Sequence, residues 1–456
     1  MKVLLVAPPS NALTITPPLG LGYLASTLRE NSYDVGILDC LKEGINVEQA
    51  IRKIKEINPS VVGISVVTAT YNNMKKIVNR IKKNNPDIKI VVGGPHASVL
   101  PGPTLKGVNA DYLVMGEGEH TFLDLMDFIK KSGKEPDSIE GLCYKENGEV
   151  IINVIRKPID NLNSIPFPAW DLIPPNKYPP APHQLFFKSF PIAPIMTSRG
   201  CPFRCSFCSS GAFLGRKLRL RSPKEVVDEI ELLVNKYGVK EIHFEDDNFT
   251  LIKDHAKAIC REIIARNIKI VWQSPNGVRI DSLDDELIYL MKESGCYRLA
   301  FGIESASQKI LDRANKMIDL RKVPDAIKKV KKAGIEAHGF FILGLPGETR
   351  ETAMETINFA TKLSLDLANF ALLVPLPGSQ IFKECYGADI EKINWDEFNY
   401  FSGYTVGNLS LDNLRKFQKI ALRKFYSNPK VAFNLLRRIR IRQIPYLFKV
   451  MMKYLA

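Results

Sequence analysis

Three cysteines stand within eight residues in the segment Thr197-Ser-Arg-Gly-Cys-Pro-Phe-Arg-Cys-Ser-Phe-Cys208, spaced as Cys201-x3-Cys205-x2-Cys208. Thiolates are soft ligands, and their number and spacing decide what they hold. A disulfide reading fails because three is odd and the expected compartment is reducing. A structural zinc site wants four ligands, and no histidine or fourth cysteine stands at a suitable spacing nearby. Three thiolates suit a [4Fe–4S] cluster in which one iron lacks a protein ligand and stays open to a small molecule. The other five cysteines (Cys40, Cys143, Cys260, Cys296 and Cys385) are scattered singly, mostly in apolar surroundings. They read as small core residues.

The triplet follows the β-rich run APIMTS. From 191 to about 385, further runs of that kind (EIHFED, IVWQSP, RLAFGIE, HGFFILG, NFALLVP) alternate with helical patterns such as PKEVVDEIELLVNKYG. Six βα units make a partial TIM-like barrel, whose reactive face is expected at the carboxyl ends of its strands. Residues 1–135 alternate in the same way over KVLLVAP, DVGILD, VVGISVV, KIVVGGP and DYLVMG. This predicts an α/β, doubly wound, Rossmann-like domain with a parallel sheet covered on both faces. Ligands bind outside the carboxyl ends of such sheets. Here those ends and the first turn carry Pro9, Ser10, Gly20, Asp39, Ser65, Thr68, Gly93, Gly94, His96, Gly116 and Glu117. Residues 136–190 are dense in proline and read as a linker, and 386–456 as a C-terminal extension with basic amphipathic helices.

Apolar residues make up 45% and charged residues 25% of the 456, which excludes a mainly disordered chain. No uncharged apolar run is long enough for a transmembrane helix, and the short run before Pro8 reads as a first strand, so a cytoplasmic protein is expected. The net charge of +14 is uneven. Twelve of the 63 basic residues and none of the 49 acidic ones lie beyond Asp412, so the remainder is nearly neutral. In the tail, Val431, Leu435, Leu436 and Ile439 fall at helical spacing among Arg437, Arg438, Arg440 and Arg442, with Met451, Met452 and Leu455 beyond. Two readings stand: a helix packed on the barrel with a solvated cationic side, or a peripheral contact with the inner face of an anionic membrane. Nucleic acid fits less well, because no aromatic platform or added recognition domain accompanies the cations.

The cysteine triplet after the first strand of a six-unit barrel resembles the radical S-adenosylmethionine (SAM) superfamily. Membership implies that Cys201, Cys205 and Cys208 ligate the cluster and that the open iron chelates SAM. One electron then cleaves SAM to a 5′-deoxyadenosyl radical. By the same resemblance Phe207 lies beside adenine, Glu245, Asp246 and Asp247 form the polar turn near the methionine amino group, and Glu304 with Ser305 faces the ribose. Gly344, in Gly339-Phe-Phe-Ile-Leu-Gly344-Leu-Pro-Gly-Glu348, belongs to a glycine motif along adenine. From the residues alone, Glu245 to Asp247 are equally a solvated turn or helix cap, and Glu304 a helix-start carboxylate.

TPPLGLGYLASTLRE, VVGISVVTATY, VVGGPHAS and Gly116 to Glu119 resemble the cobalamin-binding domains that precede some radical SAM barrels. One departure stands out. Where many of those domains carry Asp-x-His-x-x-Gly, this chain has Asp39-Cys-Leu-Lys-Glu-Gly44, so Leu41 replaces the cobalt-ligating histidine. Either cobalamin binds with its lower face against apolar side chains, or the domain is a scaffold. His96 either approaches the cofactor or bonds within its own loop.

The resemblance implies a cobalamin-dependent C-methyltransferase acting on an unactivated carbon of a lipid-like or other apolar metabolite. A flavodoxin- or ferredoxin-like electron donor would supply the electron. The alternatives are oxidative cyclisation or rearrangement, as in anaerobic porphyrin ring cyclases, and a non-catalytic sensor, against which the SAM motifs argue. RNA methylthiolation would want extra cysteines and an RNA-binding C-terminal domain.

Overall fold

The computed structural model describes residues 1–131, 136–182, 186–387, 390, 393–398, 403–405, 407, 409–439, 443, 444 and 448. They form two compact units, one of Met1–Lys177, Ser209–Arg216 and Leu376–Asn399, the other of Tyr178–Cys208, Lys217–Pro375 and Tyr400–Ala456.

The first unit is built on β1 (Lys2–Ala7), β2 (Asp34–Asp39), β3 (Val61–Ser65), β4 (Lys89–Gly93), β5 (Tyr112–Val114), β6 (Leu142–Glu146) and β7 (Glu149–Ile152), in the order β2-β1-β3-β4-β5-β6-β7. The first five run parallel, with helices such as Leu19–Glu30 and Tyr71–Asn84 between them. Successive β1 residues feed opposite faces. Leu4 and Val6 join a core with Ile64, Met74 and Ile77, while Val3 and Leu5 join one with Leu28, Phe122 and Leu125. Burying both faces explains why the strands read as continuous aliphatic runs, each such side chain contributing roughly 1.5–3 kcal/mol.

β6 and β7 correct the reading of 136–190 as a linker, since both extend the sheet, β6 antiparallel to β5 and β7 antiparallel to β6. Their turn is Asn147-Gly148 with φ of 50° and 87°, the left-handed pair a tight hairpin demands. The dipeptide was a hairpin signal, obscured by the prolines that follow it.

In the second unit β8 (Ile192–Ile195) leads to a short antiparallel ribbon of β9 (Ser198–Arg199) and β10 (Arg219–Leu220). Then come β11 (Glu241–Phe244), β12 (Val271–Val278), β13 (Cys296–Glu304), β14 (Glu336–Leu343) and β15 (Leu367–Leu372). The sheet order β8-β11-β12-β13-β14-β15 is all parallel and sequential, the partial barrel of six βα units. Four of the single cysteines are buried, whereas Cys385, at the end of helix Gln380–Tyr386, is exposed and not a core residue.

The C-terminal extension is divided. Residues up to 399 belong to the first unit, where Trp395 packs on Tyr71 and His96. Helix Leu411–Tyr426 lies on β15, with Phe425 against Phe370 and the Gln418 amide donating to the Phe370 carbonyl at 2.7 Å. In helix Pro429–Arg438, Arg438 pairs with Glu336 at 2.8 Å and Asp366 at 3.0 Å, so this tail cation is spent on the barrel. Arg440, Arg442, Met451, Met452, Leu455 and the side chains of Leu436 and Arg437 lie outside the described residues. No helix among the described residues is long and apolar enough to cross a membrane.

Candidate functional site

The cysteine loop leaves the carboxyl end of the first barrel strand and is fastened on two sides. Upstream, the Asp246 carboxylate accepts from the Thr197 amide at 3.1 Å, the Thr197 hydroxyl at 2.8 Å and the Ser198 hydroxyl. Asp246 is 1% exposed, and burial pushes its carboxyl up to about 6 against the pull of these donors. Its side chain thus serves the strand that launches the loop, while the flanking Glu245 and Asp247 are half-buried. Downstream, the Ser206 amide donates to the Ala314 carbonyl at 2.9 Å, docking the loop against helix Gln308–Arg313.

Two cations complete the second fastening. The Arg279 guanidinium lies 3.9 Å from the Phe203 ring centre, held by the Lys316 carbonyl at 3.0 Å and the Asp281 carboxylate. The Lys316 ammonium lies 5.8 Å from the Phe207 ring centre and 2.6 Å from Glu304 Oε1. Burial works against the Lys316 charge, but Glu304 overrides it and holds the ammonium above its ordinary value. At Cys205, burial pushes the thiol up while Lys316 opposes it. Both aromatic residues of the loop are therefore gripped by cations whose charge also favours thiolate.

Glu304 ends β13 in the left-handed region at φ 66°, an uncommon conformation for a residue with a side chain. The pairing of β13 with β14 slips between Gly302 and Glu304, and this irregularity turns the carboxylate toward Lys316. A Cβ on Gly302 would stand 2.6 Å from Glu304 Oε1 and 2.7 Å from Lys316 Nζ, so glycine leaves the room that the pair occupies. The Ser305 hydroxyl is fully buried, 3.3 Å from the Thr356 hydroxyl, and accepts from the Ser307 amide at 3.2 Å. Gly344 has φ 95°, and its amide donates to Glu348. Burial pushes that carboxyl up to about 7.

Cys201 and Cys205 are half-buried and Cys208 is exposed. Among the described residues no three His, Cys, Asp or Glu side chains converge as they would on one ion. A cluster places each thiolate on a different iron, and three thiols on one glycine-entered loop fit that donor set.

In the first unit the strand ends are assembled mainly through the backbone. The Val66 amide donates to the Gly93 carbonyl at 2.8 Å and the His96 amide to the Val66 carbonyl at 3.1 Å. Gly94 sits at φ 92°, where a Cβ would be 2.8 Å from the Val66 nitrogen and 2.9 Å from the Ser65 hydroxyl. The Gly116 amide donates to Ser98 at 2.9 Å, and a side chain at Gly116 would meet nothing within 4 Å, leaving the backbone open to a ligand. Pro9 is tied in by the Asn73 amide at 2.9 Å, and Ser10 accepts from the Ala12 amide at 3.1 Å. Gly20 is exposed at the start of its helix, away from these bonds.

Asp39 accepts from the Leu41 and Lys42 amides at 3.1 Å each, shaping the turn in which half-buried Leu41 replaces histidine. Glu117 accepts from the Ile159 amide at 2.7 Å. His96 is 2% exposed, its Nδ1 3.1 Å from the Thr68 hydroxyl and its ring edge-on to Trp395 at 4.8 Å. Burial lowers it to about 4, so it is a neutral residue enclosed by its own unit. Lys316, Arg279 and Trp395 were not singled out from sequence. A lone lysine or arginine carries no spacing signal, and Trp395 meets His96 only because the fold closes a gap of almost 300 residues.

A model of the radical SAM superfamily matches residues 195–360, and one of the B12 binding domain matches residues 10–126. An uncharacterized methyltransferase of Pyrococcus horikoshii is 38% identical over 440 residues, covering 94% of this chain and 94% of that one. An anaerobic magnesium-protoporphyrin IX monomethyl ester cyclase of Rubrivivax gelatinosus is 32% identical over 391 residues, covering 84% of this chain and 69% of that one. The structure of OxsB, a cobalamin-dependent S-adenosylmethionine radical enzyme, shares the fold with a TM-score of 0.74 at 20% identity, over 99% of this chain and 71% of that one. With the thiol loop, its cationic clamps and the glycine-lined strand ends in place, the chain belongs to the radical SAM superfamily, in the class that carries a B12-binding domain ahead of the barrel.

Proposed function

We propose that this enzyme is a cobalamin-dependent C-methyltransferase with a [4Fe–4S] cluster on Cys201, Cys205 and Cys208, acting in the cytoplasm on an unactivated carbon of a lipid-like or other apolar metabolite. When bound, the cluster supplies the electron that cleaves SAM, and cobalamin supplies the methyl group. The observation that carries the methyl-transfer reading is Leu41 in the Asp39-capped turn. An aliphatic side chain cannot donate to cobalt, and a cobalt without that donor parts with a carbon group differently from a ligated one.

The residues of the barrel orient and enclose. Asp246 fixes the strand before the thiols, while Glu304 and Lys316 offer a carboxylate and an ammonium of fixed position to the polar ends of SAM. The apolar substrate is supported by the wall of the barrel. Phe341 stacks on Phe370 at 5.2 Å on one face of the sheet. Alternation therefore places half-buried Phe340, Ile342 and Ala371 on the other face, with Asn369 as a polar neighbour. A flavodoxin- or ferredoxin-like protein is the proposed reductant.

Anaerobic reconstitution with iron, sulfide and hydroxocobalamin, then desalting and metal analysis, tests this reading. About four iron and about one cobalt per chain are expected. Iron without cobalt would sink cobalamin-dependent methylation. It would favour the second reading, oxidative cyclisation with the first unit as scaffold, which the similarity to a ring cyclase supports.

A further inference from the structure

Helix Leu411–Tyr426 divides cleanly into two faces. Leu414, Ala421 and Phe425 are buried, Asp412 is exposed in the first turn, and Arg415, Lys416, Lys419, Ile420 and Arg423 are exposed beyond it. At 100° per residue these five fall on one arc, and the four cations span about 12 Å of helix. None of the four makes an ion pair among the described residues. Arg415 and Lys419, and Lys419 and Arg423, are like charges at i,i+4, an arrangement that weakens a helix unless something anionic lies over it.

The neighbouring helix Pro429–Arg438 adds exposed Lys430 and Phe433, the latter 60% exposed, and Ile444 and Phe448 beyond it are 53% and 58% exposed. No acidic residue follows Asp412 in the whole chain. Among the described residues Arg438 pairs with Glu336 and Asp366, and Lys424 bonds to Asn358, so these cations tie the helices to the barrel.

We propose that the exposed face of helix Leu411–Tyr426, with Phe433 beside it, docks on an anionic lipid bilayer. Charge complementarity carries the argument, and the apolar residues select the occupant. Ile420 and Phe433 insert between acyl chains while the cations meet headgroup phosphates. A polynucleotide would use aromatic rings as stacking platforms interleaved with the cations, whereas the exposed apolar residue among the cations of helix Leu411–Tyr426 is Ile420, and Phe433 stands on the next helix. The inference concerns how the enzyme is held, and it stands whether the reaction is methylation or cyclisation.

Sedimentation of the full-length protein with vesicles tests it. One set is phosphatidylcholine alone and the other contains 30% phosphatidylglycerol, each at low and high salt. Binding is expected only to the anionic vesicles, and weaker at high salt. Each surface cation contributes roughly fivefold to such partitioning, so the triple change Arg415→Glu, Lys419→Glu and Arg423→Glu should reduce it on the order of 100-fold or more. The milder triple change to glutamine keeps the test open if the first variant misfolds, and near-native circular dichroism and an unchanged melting temperature identify a folded variant. Phe433→Ser should weaken vesicle binding without changing its salt dependence. Equal sedimentation with both vesicle types, or no loss in a folded variant, overturns the proposal. Absence of vesicle binding with salt-sensitive binding to a single-stranded RNA homopolymer overturns it in favour of a polynucleotide. Binding to neither leaves a solvated face and also overturns it.

Discussion

The two units present their ligand ends by different physics. In the barrel unit the site is held by charged side chains taken out of water: Glu304 against Lys316, Arg279 over Phe203, Asp246 beneath Thr197 and Ser198. In the B12-binding unit the corresponding edge is held by backbone amides, positive-φ glycines and a neutral aromatic cage of Tyr71, His96 and Trp395. A site for a charged cluster and the zwitterionic end of SAM gains from fixed charges in low dielectric. A broad, largely neutral macrocycle gains from close backbone approach, which side chains would obstruct. Damage to the first site should therefore act through electrostatics, and damage to the second through sterics.

The largest effect is expected from Cys205→Ala. Iron content and SAM cleavage should fall to background while cobalt uptake stays, as metal analysis of the reconstituted protein would show. Retained SAM cleavage would break the assignment of the triplet. Next comes Lys316→Met, which leaves the Glu304 carboxylate buried without its cation. Loss of one partner of a buried pair costs roughly 3–5 kcal/mol, here divided between a lower melting temperature and weaker SAM binding by calorimetry. Glu304→Gln combined with Lys316→Met should recover part of the stability but none of the SAM affinity.

Asp246→Ala removes the acceptor of three hydrogen bonds at the start of the thiol loop. With about 1–3 kcal/mol for buried donors left unpaired, the expected outcome is slower iron incorporation at normal cobalt loading. Gly94→Ala mirrors it in the other unit. The new Cβ would press on the Val66 nitrogen and the Ser65 hydroxyl at a backbone angle alanine resists, costing about 1–3 kcal/mol. Cobalt retention should fall while iron content does not. Equal loss of both metals would erase the contrast between the units.

The smallest effect is a pH slope. His96 and His338, one in each unit, are held neutral by burial, at about 4 and about 3 against an ordinary 6.5. Their unfolded forms take up protons first, so the stability they contribute is full above pH 6.5 and is lost as the pH falls through the depressed values. The slope is about 1.4 kcal/mol per pH unit for each residue. His96→Phe should flatten the decline of the melting temperature between pH 6.5 and 4. An unchanged slope would mean that the cage tolerates a cation.

The parts of the molecule legible in sequence are those whose information is local. Short apolar-rich runs alternating with helical patterns marked β1 to β5 and all six barrel strands, because strands buried on both faces are mostly apolar, although the barrel strands also bury polar residues such as Glu241, His243 and Gln273. Cys201, Cys205 and Cys208 were legible because ligands from one loop keep a fixed spacing. The β6–β7 hairpin was written in Asn147-Gly148 but was overshadowed by prolines.

Tertiary structure alone decided which charges matter. Lys316 is one of many lysines until the slipped end of β13 turns Glu304 onto it. Arg438 is one of twelve tail cations until it meets Glu336 and Asp366. Asp246 lies among three consecutive acidic residues until burial singles it out to hold a strand 49 residues earlier. Pattern and spacing specify what is adjacent in the chain, whereas the energy of a charge depends on the dielectric and the partner that folding gives it.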